Sequence, residues 1–144
     1  MGRCFREKIN ILKSHSNNVE AISYSAGDKY LLSGSHDNTM TIWDAKTGNY
    51  IDTLAGHAQS ICTMSFVPGS NILASGDCIG NMPFGIPVPQ GGCKIIFWDV
   101  EAAKQIKAIE GDCGLSCAAF SPDGKYFVTG HATGGRFITV YERK

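Results

Sequence analysis

The sequence has no long hydrophobic run. None of its apolar stretches approaches the roughly 18 residues that a membrane-spanning helix needs. Residues 1–11 carry basic side chains but lack the apolar centre and the small-residue cleavage site of a secretory signal. These absences predict an intracellular protein without membrane contact, located in the cytoplasm, with the nucleus as the alternative.

Excess charge of one sign is also missing. The 13 Lys and Arg residues balance 13 Asp and Glu residues, so the formal net charge is zero. Binding nucleic acid through its phosphates needs a basic surplus. The sequence therefore predicts contact with nucleic acid only indirectly, within a larger complex. A hydrophobic content of 43% with 18% charged residues predicts a soluble globular protein and excludes a disordered tail.

Metal and cofactor patterns are absent as well. The six cysteines form no CxxC pair and, with the four histidines, show no zinc-ligand spacing. No Gly-Lys-Ser/Thr motif marks a phosphate loop. We therefore expect no metal or cofactor, solvated side chains at His36 and His131, and reduced cysteines that mostly pack. Cys78 and Cys93 flank a long loop and could therefore lie close together. They either remain free thiols or form a disulfide, and the sequence leaves both possibilities open.

No stretch sustains the 3.6-residue spacing of an amphipathic helix over ten residues. The chain instead repeats short apolar segments of four to seven residues, with turn sequences at matching places, residues 26–29, 68–71 and 122–125. Such turns connect antiparallel strands. The pattern predicts an all-β protein of about three four-stranded antiparallel units, with boundaries at 14–55, 56–110 and 111–144.

The closing strands carry the clearest motif. The first two units end on Trp43-Asp44 and Trp98-Asp99, and the third ends on Tyr141-Glu142. Together with a Gly-His opening, a Ser-Gly-Ser strand and a turn aspartate, this pattern resembles the WD40 repeat over residues 9–142. The resemblance implies one β-propeller blade per unit and a non-catalytic scaffold that binds other proteins. Residues 11–15 and 129–131 are also similar to the WD subunits of translation initiation factor 3. A ciliary or cytoskeletal assembly component and a peptide-reading propeller remain open alternatives.

In WD40 repeats, a histidine, a serine, an aspartate and a tryptophan form a buried hydrogen-bonded chain, and the first unit matches it with His15, Ser33, Asp37 and Trp43. Buried imidazole and indole groups need such partners. A hydrolase triad is the catalytic alternative. Ser33 lacks the Gly-x-Ser-x-Gly elbow of a nucleophile, so we interpret the set as structural and the protein as no enzyme.

The second unit keeps His57, Ser75 and Trp98, but the position six residues before the tryptophan is Gly92. The third unit keeps only Thr129, since aspartate, glycine and tyrosine stand at the other three positions, residues 112, 135 and 141. We therefore predict that the second and third blades lack the complete network and are held mainly by apolar packing.

An insertion distinguishes the second unit. Ser33 and Trp43 are ten positions apart, whereas Ser75 and Trp98 are 23 apart, so thirteen extra residues lie in a predicted loop at 77–92. The loop either covers neighbouring blades or docks a protein partner. Its candidate contact residues are Met82, Pro83, Phe84, Ile86, Pro87 and Val88.

Three blades do not close a ring, because closed propellers use about four to eight. Residues 8–13 alternate like a strand ahead of the first unit, and the third unit lacks an outermost strand. We predict that residues 8–13 form the outer strand of a blade belonging to a second copy, to another chain, or to remaining blades of the same polypeptide.

Overall fold

The computed structural model describes residues 7–78, 93–110, 115–131 and 137–144. Within these residues the chain forms β-strands and one short 3-10 turn, Ala26–Asp28. The strands are β1 (Val19–Tyr24), β2 (Tyr30–Ser35), β3 (Thr39–Asp44), β4 (Tyr50–Ala55), β5 (Ser60–Phe66), β6 (Ile72–Cys78), β7 (Lys94–Asp99), β8 (Lys104–Glu110), β9 (Leu115–Phe120), β10 (Tyr126–His131) and β11 (Ile138–Glu142).

The strands form three antiparallel sheets in which each strand pairs with its neighbours in sequence. The first sheet has the order β1-β2-β3-β4, the second β5-β6-β7-β8, and the third β9-β10-β11. The prediction of an all-β fold built from antiparallel blades is confirmed. The described strands make two four-stranded blades and one three-stranded blade, and they close no barrel.

The sheets stack through their first strands. β5 contacts β1, and β9 contacts β5. Glycine permits this close approach, because a Cβ atom on Gly34 would lie 2.7 Å from Ile61 Cγ2, and one on Gly76 would overlap Leu115. Each of these glycines follows the serine of a second strand, so the Ser-Gly repeat of the sequence marks where neighbouring sheets meet.

The core consists of two apolar layers, one on each side of the second sheet. Leu32, Ile42, Ile61 and Leu73 are among the fully buried residues between the first and second sheets. The layer between the second and third sheets contains Ala74, Cys93, Ile95, Leu115 and Phe127. Each large aliphatic side chain contributes about 1.5–3 kcal/mol when it is fully buried. The blades are therefore stabilised by stacking on one another, as expected of repeat architectures.

One predicted boundary differs from the structure, and the predicted role of residues 8–13 stays untested. β6 continues through Cys78, so residues 77 and 78 belong to a strand and the predicted loop start at 77 is wrong by two residues. Residues 8–13 lie outside the described strands, and Asn10 and Leu12 lie against Gly48. Their role as the outer strand of another blade stays a prediction.

Candidate functional site

The first sheet holds a chain of hydrogen bonds that joins its four predicted network residues. His15 Nε2 lies 2.7 Å from Ser33 Oγ, and His15 Nδ1 lies 2.9 Å from Asp37 Oδ2. Trp43 Nε1 donates to Ser33 Oγ at 2.9 Å. Because a carboxylate only accepts, His15 Nδ1 carries a proton, and in the tautomer with its only proton there the Ser33 hydroxyl donates to Nε2. Every polar group of the set then has a partner.

Asp37 accepts more hydrogen bonds than the one from His15. Its carboxylate also accepts hydrogen bonds from the backbone N–H of Ser16 at 3.1 Å and from the backbone N–H of Thr39 at 2.9 Å. Burial of the carboxylate raises its pKa, but the hydrogen bonds from Thr39, His15 and Ser16 outweigh this effect and lower the pKa to about 2. The folded blade therefore stabilises the ionised form of Asp37.

The second sheet contains the same network, and the prediction that it lacks an aspartate is wrong. His57 Nε2 lies 2.7 Å from Ser75 Oγ, which accepts the Trp98 indole N–H at 2.7 Å. His57 Nδ1 lies 2.9 Å from Asp77 Oδ2. This pair is more deeply buried than its counterpart, since the exposed fractions of the His57 and Asp77 side chains are 1% and 3%.

The position six residues before Trp98 is Gly92, so spacing from the tryptophan does not locate this aspartate. Asp77 follows Ser75 by two residues, and its other oxygen accepts the backbone N–H of Lys94 at 2.6 Å, 17 positions further on. Asp37 does the same for Thr39, only 2 positions away. The aspartate therefore joins the end of one strand to the start of the next, whatever the length of chain between them. An aspartate two residues after the strand serine was the available signal.

The third sheet differs from both. Its Thr129 Oγ1 lies 2.9 Å from Nε2 of His131, which stacks on Phe137 with ring centroids 4.7 Å apart. His131 is 7% exposed, so the expectation of a solvated side chain is wrong.

His36 is partly exposed and lies 3.2 Å from Glu20. Residues 112 and 135, which the sequence placed at network positions, lie outside the described residues.

Aromatic packing accompanies this change in the third sheet. Phe127 lies at the centre of a ring cluster, with centroid distances of 6.1 Å to Phe97, 4.6 Å to Phe120 and 6.0 Å to Tyr141. The cluster joins β7 of the second sheet to all three strands of the third. In this blade, aromatic contacts between the second and third sheets therefore occur together with a hydrogen-bond network that differs from those of the first two blades.

The Ser-His-Asp connectivity of the first two sheets matches a hydrolase triad, but its surroundings do not. Ser33 and Ser75 are 7% and 1% exposed. Each serine oxygen already accepts an indole N–H and contacts an imidazole. A nucleophile needs open space for its substrate beside the reacting oxygen. These networks are suited to fix blade packing, because a fully satisfied buried network specifies one arrangement.

The open surfaces lie at the two ends of the stack. On β1, Val19, Ile22 and Tyr24 are 50%, 70% and 58% exposed. On β11, Ile138 and Val140 are 70% and 61% exposed. We call these two sets the β1 face and the β11 face. Large apolar side chains exposed together are typical of protein interaction sites.

An apolar groove of about 330 Å³ runs between the second and third sheets. Ile106 and Ile109 of β8 line one side of the groove, and Phe127 and Tyr141 of the third sheet line the other. Basic side chains also line the groove, including Lys107. Among the described strands, β11 beside the groove pairs only with β10. The groove thus lies at the outer end of the three-stranded blade.

The described residues contain no metal cluster and no membrane-spanning helix. No group of three or more His, Cys, Asp or Glu side chains in that part of the chain is placed to hold a metal ion. The same residues contain no helix of the length and hydropathy that a membrane span requires. The six candidate docking residues of the predicted loop, Met82, Pro83, Phe84, Ile86, Pro87 and Val88, lie outside the described residues.

Comparison with known proteins adds the family and a few relatives. The family described as WD domain, G-beta repeat matches residues 6–44, 48–81 and 103–141. Eukaryotic translation initiation factor 3 subunit I of Vanderwaltozyma polyspora is 27% identical over 134 residues, which are 92% of this chain but 34% of that protein. Transcription initiation factor TFIID subunit 5 of Caenorhabditis elegans is 28% identical over 125 residues, which are 85% of this chain and 17% of that protein.

A solved structure has the same fold. A chain in the crystal structure of the mitotic checkpoint complex matches with a TM-score of 0.78 at 21% sequence identity. The match covers 94% of this chain and 39% of that chain. The chain therefore spans about a third of the length of the initiation-factor relative and 39% of the structural one.

Proposed function

Because the chain belongs to the WD40 repeat family, we propose that it is a non-catalytic protein-interaction scaffold within a multi-subunit complex in the cytoplasm. The observation that carries this proposal is the exposure of the β1 face and the β11 face at the two ends of the stack. The two curated relatives described above are both named as subunits of larger factors, which supports the same role.

The exposed faces supply the free energy for binding. Ile22 and Ile138 are each 70% exposed. Full burial of such an aliphatic side chain contributes about 1.5–3 kcal/mol. A partner that covers one face thus gains several kcal/mol, from which the entropy lost on association must be subtracted. Apolar strand faces of this kind fit a further blade or another β-sheet.

The partner at the β11 edge is an extended strand, supplied by residues 8–13 of a second copy or by remaining blades. Antiparallel addition to β11 would complete a fourth strand and cover the groove beside it. Residues 8–13 offer the required alternation, since Ile9 and Ile11 are 94% and 59% exposed. The groove wall of Ile106 and Ile109 gives these side chains an apolar surface.

Paired surface variants of the full chain test this proposal in the native cell. The double variant Ile138→Asp with Val140→Asp places two charges on the β11 face. The matched control, Lys46→Asp with Asn49→Asp, changes two exposed residues in the turn between β3 and β4. Chemical cross-linking followed by mass spectrometry identifies what each variant contacts. We expect the β11 variant to lose cross-links that the control keeps. If both variants keep the same cross-links, the β11 face does not bind a partner and this part of the proposal is wrong.

A second, more specific candidate is a WD subunit similar to that of translation initiation factor 3, acting on the small ribosomal subunit. The observation that favours it is the likeness to subunit I over 92% of this chain. Gradient sedimentation of a native extract tests it, because a subunit of the initiation complex co-migrates with small ribosomal subunits. Recovery of the chain solely in other complexes would exclude this candidate and leave the general scaffold role intact.

A further inference from the structure

Cys62 of β5 and Cys78 of β6 lie on paired strands of the second sheet. In the register of β5 and β6, Ser60 pairs with Cys78 and Ile61 with Asp77, but the register then shifts so that Thr63 pairs with Gly76. Cys62 is thus the extra residue of a β-bulge, which turns a side chain away from the regular alternation. It lies diagonally across from Cys78, the last residue of β6.

The bulge directs the Cys62 thiol toward the third sheet. Cys62 Sγ donates to the carbonyl oxygen of Leu115 at 3.3 Å and also lies 3.6 Å from the carbonyl oxygen of Gly76. Cys93 is fully buried in the apolar layer that contains Leu115. The sequence left a pair between Cys78 and Cys93 open, but all described cysteines are free. The strand register instead places Cys62 beside Cys78.

The two neighbouring thiols are chemically unequal. Interaction with the Cys78 thiol raises the pKa of Cys62, and burial raises it further. Interaction with the Cys62 thiol lowers the pKa of Cys78, although burial opposes this. The thiolate is the reactive form of cysteine, so Cys78 is the nucleophile of the pair and Cys62 its proton-bearing neighbour. Both side chains are partly exposed, which gives a small oxidant access.

We propose that Cys62 and Cys78 form an oxidation site, at which a hydroperoxide converts the two neighbouring thiols into a disulfide across the bulge. The Cys78 thiolate attacks the terminal oxygen of the hydroperoxide, an S–O bond forms and the O–O bond breaks. The displaced alkoxide or hydroxide takes up a proton and leaves as alcohol or water, and Cys78 becomes a sulfenic acid.

Cys62 then resolves this intermediate. Its sulfur attacks the Cys78 sulfur, an S–S bond forms, the S–O bond breaks, and the hydroxyl leaves as water with the Cys62 proton. Together the thiols lose two electrons and two protons, and one hydroperoxide is reduced to alcohol and water. The reaction also removes the thiol donor from the Leu115 carbonyl at the start of β9, so oxidation changes a contact between the second and third sheets.

Peptide mapping of the reduced full chain after treatment with hydrogen peroxide tests the proposal. Free thiols are blocked with N-ethylmaleimide before digestion without reductant. We expect one dominant cross-linked peptide pair, joining Cys62 to Cys78, and its loss in Cys78→Ser. Cys93→Ser is the matched control, because Cys93 is the neighbouring buried thiol, and it should keep the link. A dominant link from Cys78 to Cys93, or uniform modification that includes exposed Cys117, would overturn the proposal.

Trapping with dimedone keeps the proposal testable if a variant loses its fold. In Cys62→Ser the sulfenic acid at Cys78 has no resolving thiol and should accumulate as a dimedone adduct, whereas the wild-type chain should show little adduct and the disulfide instead. The alkylation rate of Cys78 in the wild-type chain gives an independent readout, since it should exceed that of Cys117 near neutral pH. Equal dimedone labelling in both proteins, or slower alkylation at Cys78, would exclude the pair.

Discussion

The substitution Asp77→Ala tests the network of the second blade. Asp77 accepts the His57 Nδ1–H at 2.9 Å and the Lys94 backbone N–H at 2.6 Å. The exposed fractions of the His57 and Asp77 side chains are 1% and 3%, so water has little room to replace the carboxylate. Each buried donor left without an acceptor costs about 1–3 kcal/mol, so the two together predict a loss of about 4 kcal/mol in the free energy of unfolding.

Denaturant unfolding of the full chain, followed by circular dichroism, measures this loss. Asp52→Ala is the matched control, because Asp52 is an exposed residue of β4 whose carboxylate accepts only the Thr53 backbone N–H at 2.8 Å. We expect the control to change stability by less than about 0.5 kcal/mol. In a double-mutant cycle, His57→Ala and Asp77→Ala should be strongly non-additive, since each removes the partner of the other.

The reasoning is refuted if Asp77→Ala costs no more than Asp52→Ala. That result would mean that the carboxylate does not complete the buried network. Additive losses in the double-mutant cycle would likewise show that His57 and Asp77 stabilise the blade independently. In either case, the parallel drawn between the first and second blades would fail.

Three further predictions follow from the same geometry. Ser75→Ala leaves the Trp98 indole N–H and an imidazole nitrogen without a partner, so it should lower the unfolding free energy by about 3 kcal/mol in the same assay. Gly76→Ala forces a Cβ against Leu115, so hydrogen exchange should accelerate in β6 and β9 but not in β3. The pKa of Asp37 is lowered from 3.8 to about 2 on folding, so its ionised form contributes about 2 kcal/mol above pH 4 that is lost as the pH falls through about 2. Asp37→Asn should flatten the dependence of stability on pH in this window, and an unchanged slope would contradict the assignment.

The sequence predicted the units of this fold because its signals are local. Turn residues, short β-branched segments and the Trp-Asp pairs each act within a few residues, and together they located the blades. The sequence did not predict the role of Asp77, because hydrogen bonds fix its position relative to Ser75 and to the start of β7. The number of residues between β6 and β7 can vary without changing these hydrogen bonds. A count along the sequence cannot follow a contact of this kind.

His131 shows a second reason for a wrong expectation. Its place beside a turn suggested solvent, but Phe127, Thr129 and His131 alternate on β10 and all three are buried. The strand period therefore continues to the last residue of β10 and decides the burial of His131. The bulge at Cys62 had no such signal, because an extra strand residue leaves the composition of the segment unchanged. The contact between Cys62 and Cys78 needed the structure.

Light scattering on the purified full chain over a range of concentrations tests the central claim most directly. The claim is that these sheets bury their apolar faces only against neighbouring sheets, so that the β1 face and the β11 face need a partner. The account predicts a molar mass above the 15.5 kDa of one chain, rising with concentration, and a lower mass for the variant Ile138→Asp with Val140→Asp. A compact particle of 15.5 kDa at every concentration, with the same mass for the variant, would contradict it.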